Sequence, residues 1–180
     1  MPIVRNKKIE VLFSAEEIAR RNRELAEEIA LGDLSNILVI SILKGSFVFA
    51  ADLIRALHAA GLAPEVEFIS VSSYGAGTEA GEIRLLRDVE SDVRGRDILL
   101  IDDILESGKT LTFTRDLMLA RGARRVAIVA LLDKTMRRQA QISADYTGFE
   151  CPDKFVVGYG MDVGHAFREL PFVGVVTGDA

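Results

Sequence analysis

The stretch Ile98-Leu99-Leu100-Ile101-Asp102-Asp103-Ile104-Leu105-Glu106-Ser107-Gly108-Lys109-Thr110 sets two kinds of chemistry side by side. Asp102 and Asp103 are adjacent carboxylates, suited to hydroxyls or to a hard metal ion. The backbone N–H groups of Ser107, Gly108, Lys109 and Thr110 fall where a helix begins, and such a terminus suits a phosphate. A sugar phosphate offers partners to both. Gly108-Lys109-Thr110 also matches the close of the nucleotide-binding loop G-x-x-x-x-G-K-[ST], as in a P-loop kinase. That match fails at its first glycine, where Asp103 stands, and Glu106 lies inside the loop, so two anions would face a triphosphate. The ordinary alternative is a strand ending in solvated acids before an N-capped helix.

These groups need elements to position them. Four runs rich in apolar and β-branched residues, Ile37 to Ile42, Val66 to Val71, Ile98 to Ile101 and Val126 to Leu132, read as strands buried on both faces. Ser14 and Glu17 form a capping box, with Phe13 and Ile18 as a possible staple, for a helix running to about Leu31 and ended by Gly32 and Asp33. Phe47 to Ala60 and Thr110 to Arg121 carry apolar residues at helical spacing and close on Gly61 and Gly122. Alternating strands and helices predict an α/β fold with a mainly parallel sheet and right-handed crossovers. In such sheets ligands bind beyond the carboxyl ends of the strands. Lys44, Ser73-Tyr74, Asp102-Asp103 and Lys134 each follow one of the four runs, so four turns converge on one edge.

Composition narrows the classes. At 180 residues and 49% hydrophobic content the chain fits one domain, residues 1–180, with a substantial core. The net charge of −5 argues against a nucleic-acid partner, and Arg124-Arg125 and Arg137-Arg138 read as solvated pairs rather than a binding stripe. The only cysteine, Cys151, excludes an internal disulfide, and the start of the chain lacks the apolar run of a signal peptide. No run approaches membrane-spanning length, so a cytoplasmic protein without a membrane partner is expected.

Residues 101–110 resemble the PRPP-binding motif of the type I phosphoribosyltransferases. Further matches to the hypoxanthine-guanine branch of that family are Leu43-Lys44-Gly45-Ser46, Ser73-Tyr74, Leu132-Asp133-Lys134, and Pro152-Asp153-Lys154-Phe155-Val156-Val157-Gly158-Tyr159 followed by Asp162 and Arg168. Together they span roughly residues 35 to 176. The first acid of the pair, often Glu in that branch, is Asp102 here, and the base, usually Asp, is Glu106.

The resemblance implies a type I phosphoribosyltransferase fold: a twisted sheet flanked by helices, a small hood built from the N- and C-terminal segments, and a mobile lid over about residues 74–87. It implies Mg²⁺-dependent transfer of phosphoribosyl from PRPP to hypoxanthine or guanine in purine salvage, by a homodimer or homotetramer. Lys44 and Gly45 become the pyrophosphate loop, where the family often has a cis peptide, and Arg168 a second pyrophosphate ligand. Asp102, Asp103 and Asp162 become metal ligands, and Ser107 to Thr110 the phosphate cradle. Ser73 and Tyr74 belong to the lid. Lys134 donates to the purine 6-oxo oxygen, Phe155 stacks on the base, the Val156 backbone reads the base edge, and Glu106 is the general base. Without the resemblance, Lys134 reads as a snorkelling surface lysine, Phe155 as core, and residues 74–87 as a long hairpin connection. Other readings are a phosphoribosyltransferase preferring xanthine or a pyrimidine, and a PRPP-sensing, RNA-binding regulator of the same fold. His58 and His165 have no partner pattern and receive no role.

Overall fold

Along β3 (Ile37–Leu43) and β6 (Asp97–Leu105), successive apolar side chains enter two different cores, which is why these strands read as unbroken hydrophobic runs. Val39, Leu99 and Ile101 face one layer, with Leu25, Ile29, Phe49, Leu53 and Leu57. Leu38, Ile40, Ile98 and Leu100 face the other, with Leu111 and Met118. The structure, a computed structural model, describes residues 2–74 and 82–179.

The remaining elements, in chain order, are β1 (Ile3–Val4), β2 (Lys7–Phe13), α1 (Ala15–Leu31), α2 (Phe47–Ala59), β4 (Glu65–Tyr74), β5 (Glu82–Arg87), α3 (Lys109–Ala120), β7 (Arg125–Asp133), a 3₁₀ turn (Thr135–Arg137), β8 (Tyr146–Glu150), β9 (Val156–Val157) and β10 (Val173–Asp179). The larger sheet has the order β5-β4-β3-β6-β7-β8. All of its pairings are parallel except that of β4 with β5. Helices α1 and α2 cover one face and α3 the other, so the α/β class and mainly parallel sheet are as expected.

The predicted caps form. Ser14 N–H donates to Glu17 Oε2 at 2.8 Å and Glu17 N–H to Ser14 Oγ at 3.2 Å. The Phe13 ring stacks on Phe149 at 4.3 Å between centroids. Gly61 and Gly122 close α2 and α3 in the left-handed conformation.

Other elements depart from the expectations. Strand β6 continues four residues beyond Ile101, and its ladder with β7 still joins Asp102 to Ala130 and Leu105 to Asp133. The apolar pattern stops at Ile101 because the following acids look into the site, not because the strand ends. Strand β8, polar and interrupted by Gly148, carries almost no pattern yet extends the sheet in parallel beside β7. The small hood expected from the N- and C-terminal segments, by contrast, corresponds to a second, antiparallel sheet of order β1-β2-β10-β9 over Ile9, Val157, Phe167 and Leu170. The central part of the segment expected as a lid, residues 75–81, lies outside the described residues.

Candidate active site

Each parallel strand delivers its chemistry at its carboxyl end. Asp102 and Asp103 end the apolar part of β6, and the backbone hydrogen bonds to their carboxylates are local: Asp103 N–H donates to Asp102 Oδ1 at 3.0 Å and Ile104 N–H to Asp103 Oδ1 at 2.9 Å. Among the described residues neither carboxylate has an ion pair. Removal from water, and then the charge of Asp103, push the Asp102 carboxyl well above the usual carboxylate range. Burial also raises Asp103, against hydrogen bonds from its neighbours and the charge of Arg168. A buried and a half-buried acid side by side without a cation are costly alone, and they suit a ligand that brings hydroxyls or a divalent ion.

Lys44 and Gly45 follow β3, and the cis peptide in this loop is Leu43–Lys44, one bond before Lys44–Gly45. Glycine is required at 45 because a Cβ there would lie 1.9 Å from Asp103 Oδ2. The lysine loop and the acid pair are therefore in direct apposition. Ser73 and Tyr74 are the last residues of β4, paired with Ile83 and Glu82 of β5, and their side chains lie outside the described residues.

Past β6, Gly108 adopts φ +82 and opens α3, with no side-chain cap at that terminus. Ser107 Oγ accepts from the Lys109 N–H at 3.3 Å. A cavity of about 300 Å³ is lined by Lys44, Gly45, Asp102, Asp103, Glu106, Ser107, Gly108 and Thr110, but not by Lys109.

A larger cavity of about 750 Å³ adjoins it, and there the structure gathers Lys44, Gly45, Asp103, Glu106, Lys134, Phe155, Val156, Asp162 and Arg168. Lys134 is 5% exposed, so it is not a snorkelling lysine. Its Nζ donates to the Lys154 carbonyl at 2.7 Å and lies 3.6 Å from Glu106 Oε1, too far for a hydrogen bond. An ammonium has three donors, so capacity remains for a bound molecule. Phe155 is not core: it is 64% exposed and lines this cavity with an open ring. Val156 is buried in β9, paired with Val175.

Arg168 donates to the Gly160 carbonyl at 2.6 Å and pairs with Asp162 at 2.9 Å. Asp162 also accepts the His165 N–H at 2.7 Å. Asp162 shares the larger cavity with Asp103 while Asp102 lines the smaller one, and among the described residues no three acids, histidines or cysteines gather as a preformed metal cluster. The segment is anchored through Tyr159, whose hydroxyl accepts from Asn22 Nδ2 at 2.9 Å and donates to Asp52.

Sequence reasoning missed several groups here. Ser72 and Leu86 line the larger cavity, as do Arg137 and Asp153, which pair at 2.8 Å. Arg138 is no solvated residue, since its guanidinium donates to the backbone of Leu105, Glu106 and Ile142. Arg124 and Arg125 pair with Asp97 and Asp33. Apart from Ile142, four residues from Arg138, these partners are distant in sequence, so no local pattern announces them.

Comparison with known proteins agrees with this geometry. A family model described as a phosphoribosyl transferase domain matches residues 9–163. The hypoxanthine-guanine phosphoribosyltransferase of Bacillus subtilis is 44% identical over 92% of both chains. The hypoxanthine phosphoribosyltransferase of Escherichia coli is 38% identical over 93% of this chain and 95% of its own. A crystal structure of the Staphylococcus aureus hypoxanthine phosphoribosyltransferase superposes with a TM-score of 0.88 at 38% identity, covering 96% of this chain and 92% of that one. A family model over residues 9–163 and likeness at 38–44% identity over more than nine-tenths of the chain make this chain a member of the phosphoribosyltransferase family, in its hypoxanthine-guanine branch.

Proposed function

We propose that this enzyme transfers the phosphoribosyl group of PRPP to N9 of hypoxanthine or guanine, releasing pyrophosphate and forming the nucleoside monophosphate used in purine salvage. One observation carries the reading: a single cavity joins the unpaired Asp103 carboxylate at one end to a buried ammonium and an open aromatic ring at the other. A sugar activated by diphosphate fits the first end and a flat oxo-base the second.

In the reaction the C1′–oxygen bond to pyrophosphate breaks, the N9–C1′ bond forms, and the purine loses a proton. Asp102 and Asp103 hold the ribose hydroxyls and favour positive charge growing on the sugar. Lys44, the Gly45 backbone and Arg168 receive the negative charge growing on the leaving pyrophosphate. The N–H groups of residues 107–110 hold the 5′-phosphate. Phe155 stacks on the base, the Val156 backbone reads its edge, and Lys134 donates to the 6-oxo oxygen. Glu106 accepts the purine proton from N7, within the hydrogen-bond reach that general-base catalysis requires. Adenine is disfavoured because its 6-amino group would meet another donor.

The acids fit Mg²⁺. Asp102 is buried and Asp103 half-buried, neither has an ion pair among the described residues, and Asp103 and Asp162 line one cavity while Asp102 lines the adjoining one, so these residues would hold it together with substrate oxygens. Mg²⁺ typically takes only one or two protein carboxylates and completes its shell with phosphates and water, which suits a site lacking a preformed cluster. When bound it supplies positive charge to the pyrophosphate. Family membership supports a homodimer or homotetramer, to be measured by sedimentation. A lone buried Cys151 suits a reducing, cytoplasmic setting, and no described helix is long and apolar enough to cross a membrane.

The test is product identification from PRPP, Mg²⁺ and hypoxanthine. IMP and pyrophosphate in equal amounts are expected. Ribose 5-phosphate without IMP, or intact PRPP, would refute the reading.

A further inference from the structure

The loop that carries Glu106 and the phosphate-binding N–H groups is held from behind by a side chain that touches neither cavity. Arg138 Nε donates to the Glu106 carbonyl at 2.9 Å, Nη2 to the Leu105 carbonyl at 3.2 Å, and Nη1 to the Ile142 carbonyl at 2.6 Å. Asp133, at the end of β7, accepts from the same guanidinium and balances its charge. The rest of that segment seats the loop as well. The N–H groups of Gln139 and Ala140 donate to the Ser107 carbonyl at 2.9 and 3.0 Å. A Cβ on Gly108 would lie 2.5 Å from Ile142 Cγ2 and 3.2 Å from Arg138 Cδ, so the two segments are in close contact.

We propose that Arg138 is a positioning residue for the phosphoribosyl site: by fixing the carbonyls of Leu105 and Glu106 it sets the direction of the Glu106 side chain and of the N–H groups at 107–110 before substrate arrives. This rests on the phosphoribosyl-transfer reading above. A peptide unit is planar, so holding its carbonyl also fixes the N–H that follows. Pinning carbonyls 105 and 106 therefore orients the N–H groups of Glu106 and Ser107 directly. Arginine is needed because only its planar fork of five donors can span three carbonyls and a carboxylate at once; an ammonium is a compact point charge. Bonds from an ionised donor are roughly twice as strong as neutral ones, which suits a clamp on a loop that binds highly charged substrate.

The experiment compares the parent enzyme with Arg138→Lys, Arg138→Ala and Asp133→Asn in steady-state kinetics with PRPP and hypoxanthine, alongside Tm. Displacement of a substrate-binding loop by about 1 Å costs on the order of 10²-fold in rate. For Arg138→Lys we expect kcat/KM for PRPP to fall about 10- to 10²-fold, with KM for hypoxanthine moving far less. Asp133→Asn keeps the three carbonyl contacts and should lose much less than Arg138→Lys. If Arg138→Ala does not fold, Arg138→Lys decides. Arg138→Lys with the parent's kcat/KM for PRPP overturns the assignment. So does a rise of both KM values alike that tracks a fall in Tm, because that marks a merely structural residue. An inactive parent would overturn the functional reading itself, whereas an active parent with an indifferent Arg138→Lys overturns the Arg138 role alone.

Discussion

Replacing Lys134 with methionine keeps most of the length of a side chain that is 5% exposed while removing its charge and all three of its donors. Two effects follow from its contacts. The Lys154 carbonyl loses a partner at 2.7 Å, and a bound 6-oxopurine loses a charge-assisted donor. A hydrogen bond from a charged group contributes about 1.5–3 kcal/mol, which corresponds to a fall of roughly 10- to 150-fold in kcat/KM for hypoxanthine. Because Lys134 touches only the base end of the cavity, KM for the purine should rise far more than KM for PRPP. Initial-rate measurements varying each substrate at saturating levels of the other separate the two. A parallel rise in both constants, or an unchanged purine KM, would refute the assignment of Lys134 to base recognition.

Three further predictions concern neighbouring links. Glu106→Gln should lower kcat by about 10²-fold or more with PRPP binding largely retained, measured by single-turnover kinetics and calorimetry, since a positioned general base contributes on that scale. Phe155→Ala should weaken purine binding by about 1–3 kcal/mol, as loss of base stacking does, yet leave Tm nearly unchanged because the ring is 64% exposed. A core phenylalanine would instead cost about 3–5 kcal/mol of stability. Asp97 is fully buried, and its hydrogen bonds from Arg124, then the Ser35 N–H, hold its carboxyl below the usual range. A depressed folded pKa contributes stability above the unfolded value of about 3.9 and loses it as pH falls through the folded value. Asp97→Asn should therefore be less stable by about 1–3 kcal/mol at pH 7, with the gap closing below about pH 4 in denaturant titrations.

The fold was legible wherever a local pattern reports a local cause. The Ser14–Glu17 box and the glycines at 61 and 122 mark helix ends through contacts within a few residues, and strands buried on both faces leave unbroken apolar runs. The candidate site was legible because several of the groups lining the cavities sit at strand ends, so one strand boundary locates one group. Where a residue's surroundings come from distant chain, local pattern alone failed, and only the family resemblance brought Phe155 and Lys134 to the candidate site. Phe155 looks like core until the cavity beside it is known, and Lys134 looks exposed until the Lys154 carbonyl twenty residues on is seen to accept from it. Arg138 looks solvated although two of its acceptors lie 32 and 33 residues back. The small sheet depends on β2 meeting β10 across nearly the whole chain, a pairing that neither strand announces.

Base selection is decided at the Lys134 end of the cavity. The most direct measurement is kcat/KM for hypoxanthine, guanine, xanthine, adenine, uracil and orotate at one saturating concentration of PRPP and Mg²⁺. Hypoxanthine or guanine should exceed adenine, uracil and orotate by about 10²-fold or more, because a buried donor paired with an oxo oxygen discriminates strongly against a base that presents a donor there or cannot reach it. Adenine turned over as well as hypoxanthine, or a pyrimidine preferred to both purines, would contradict it.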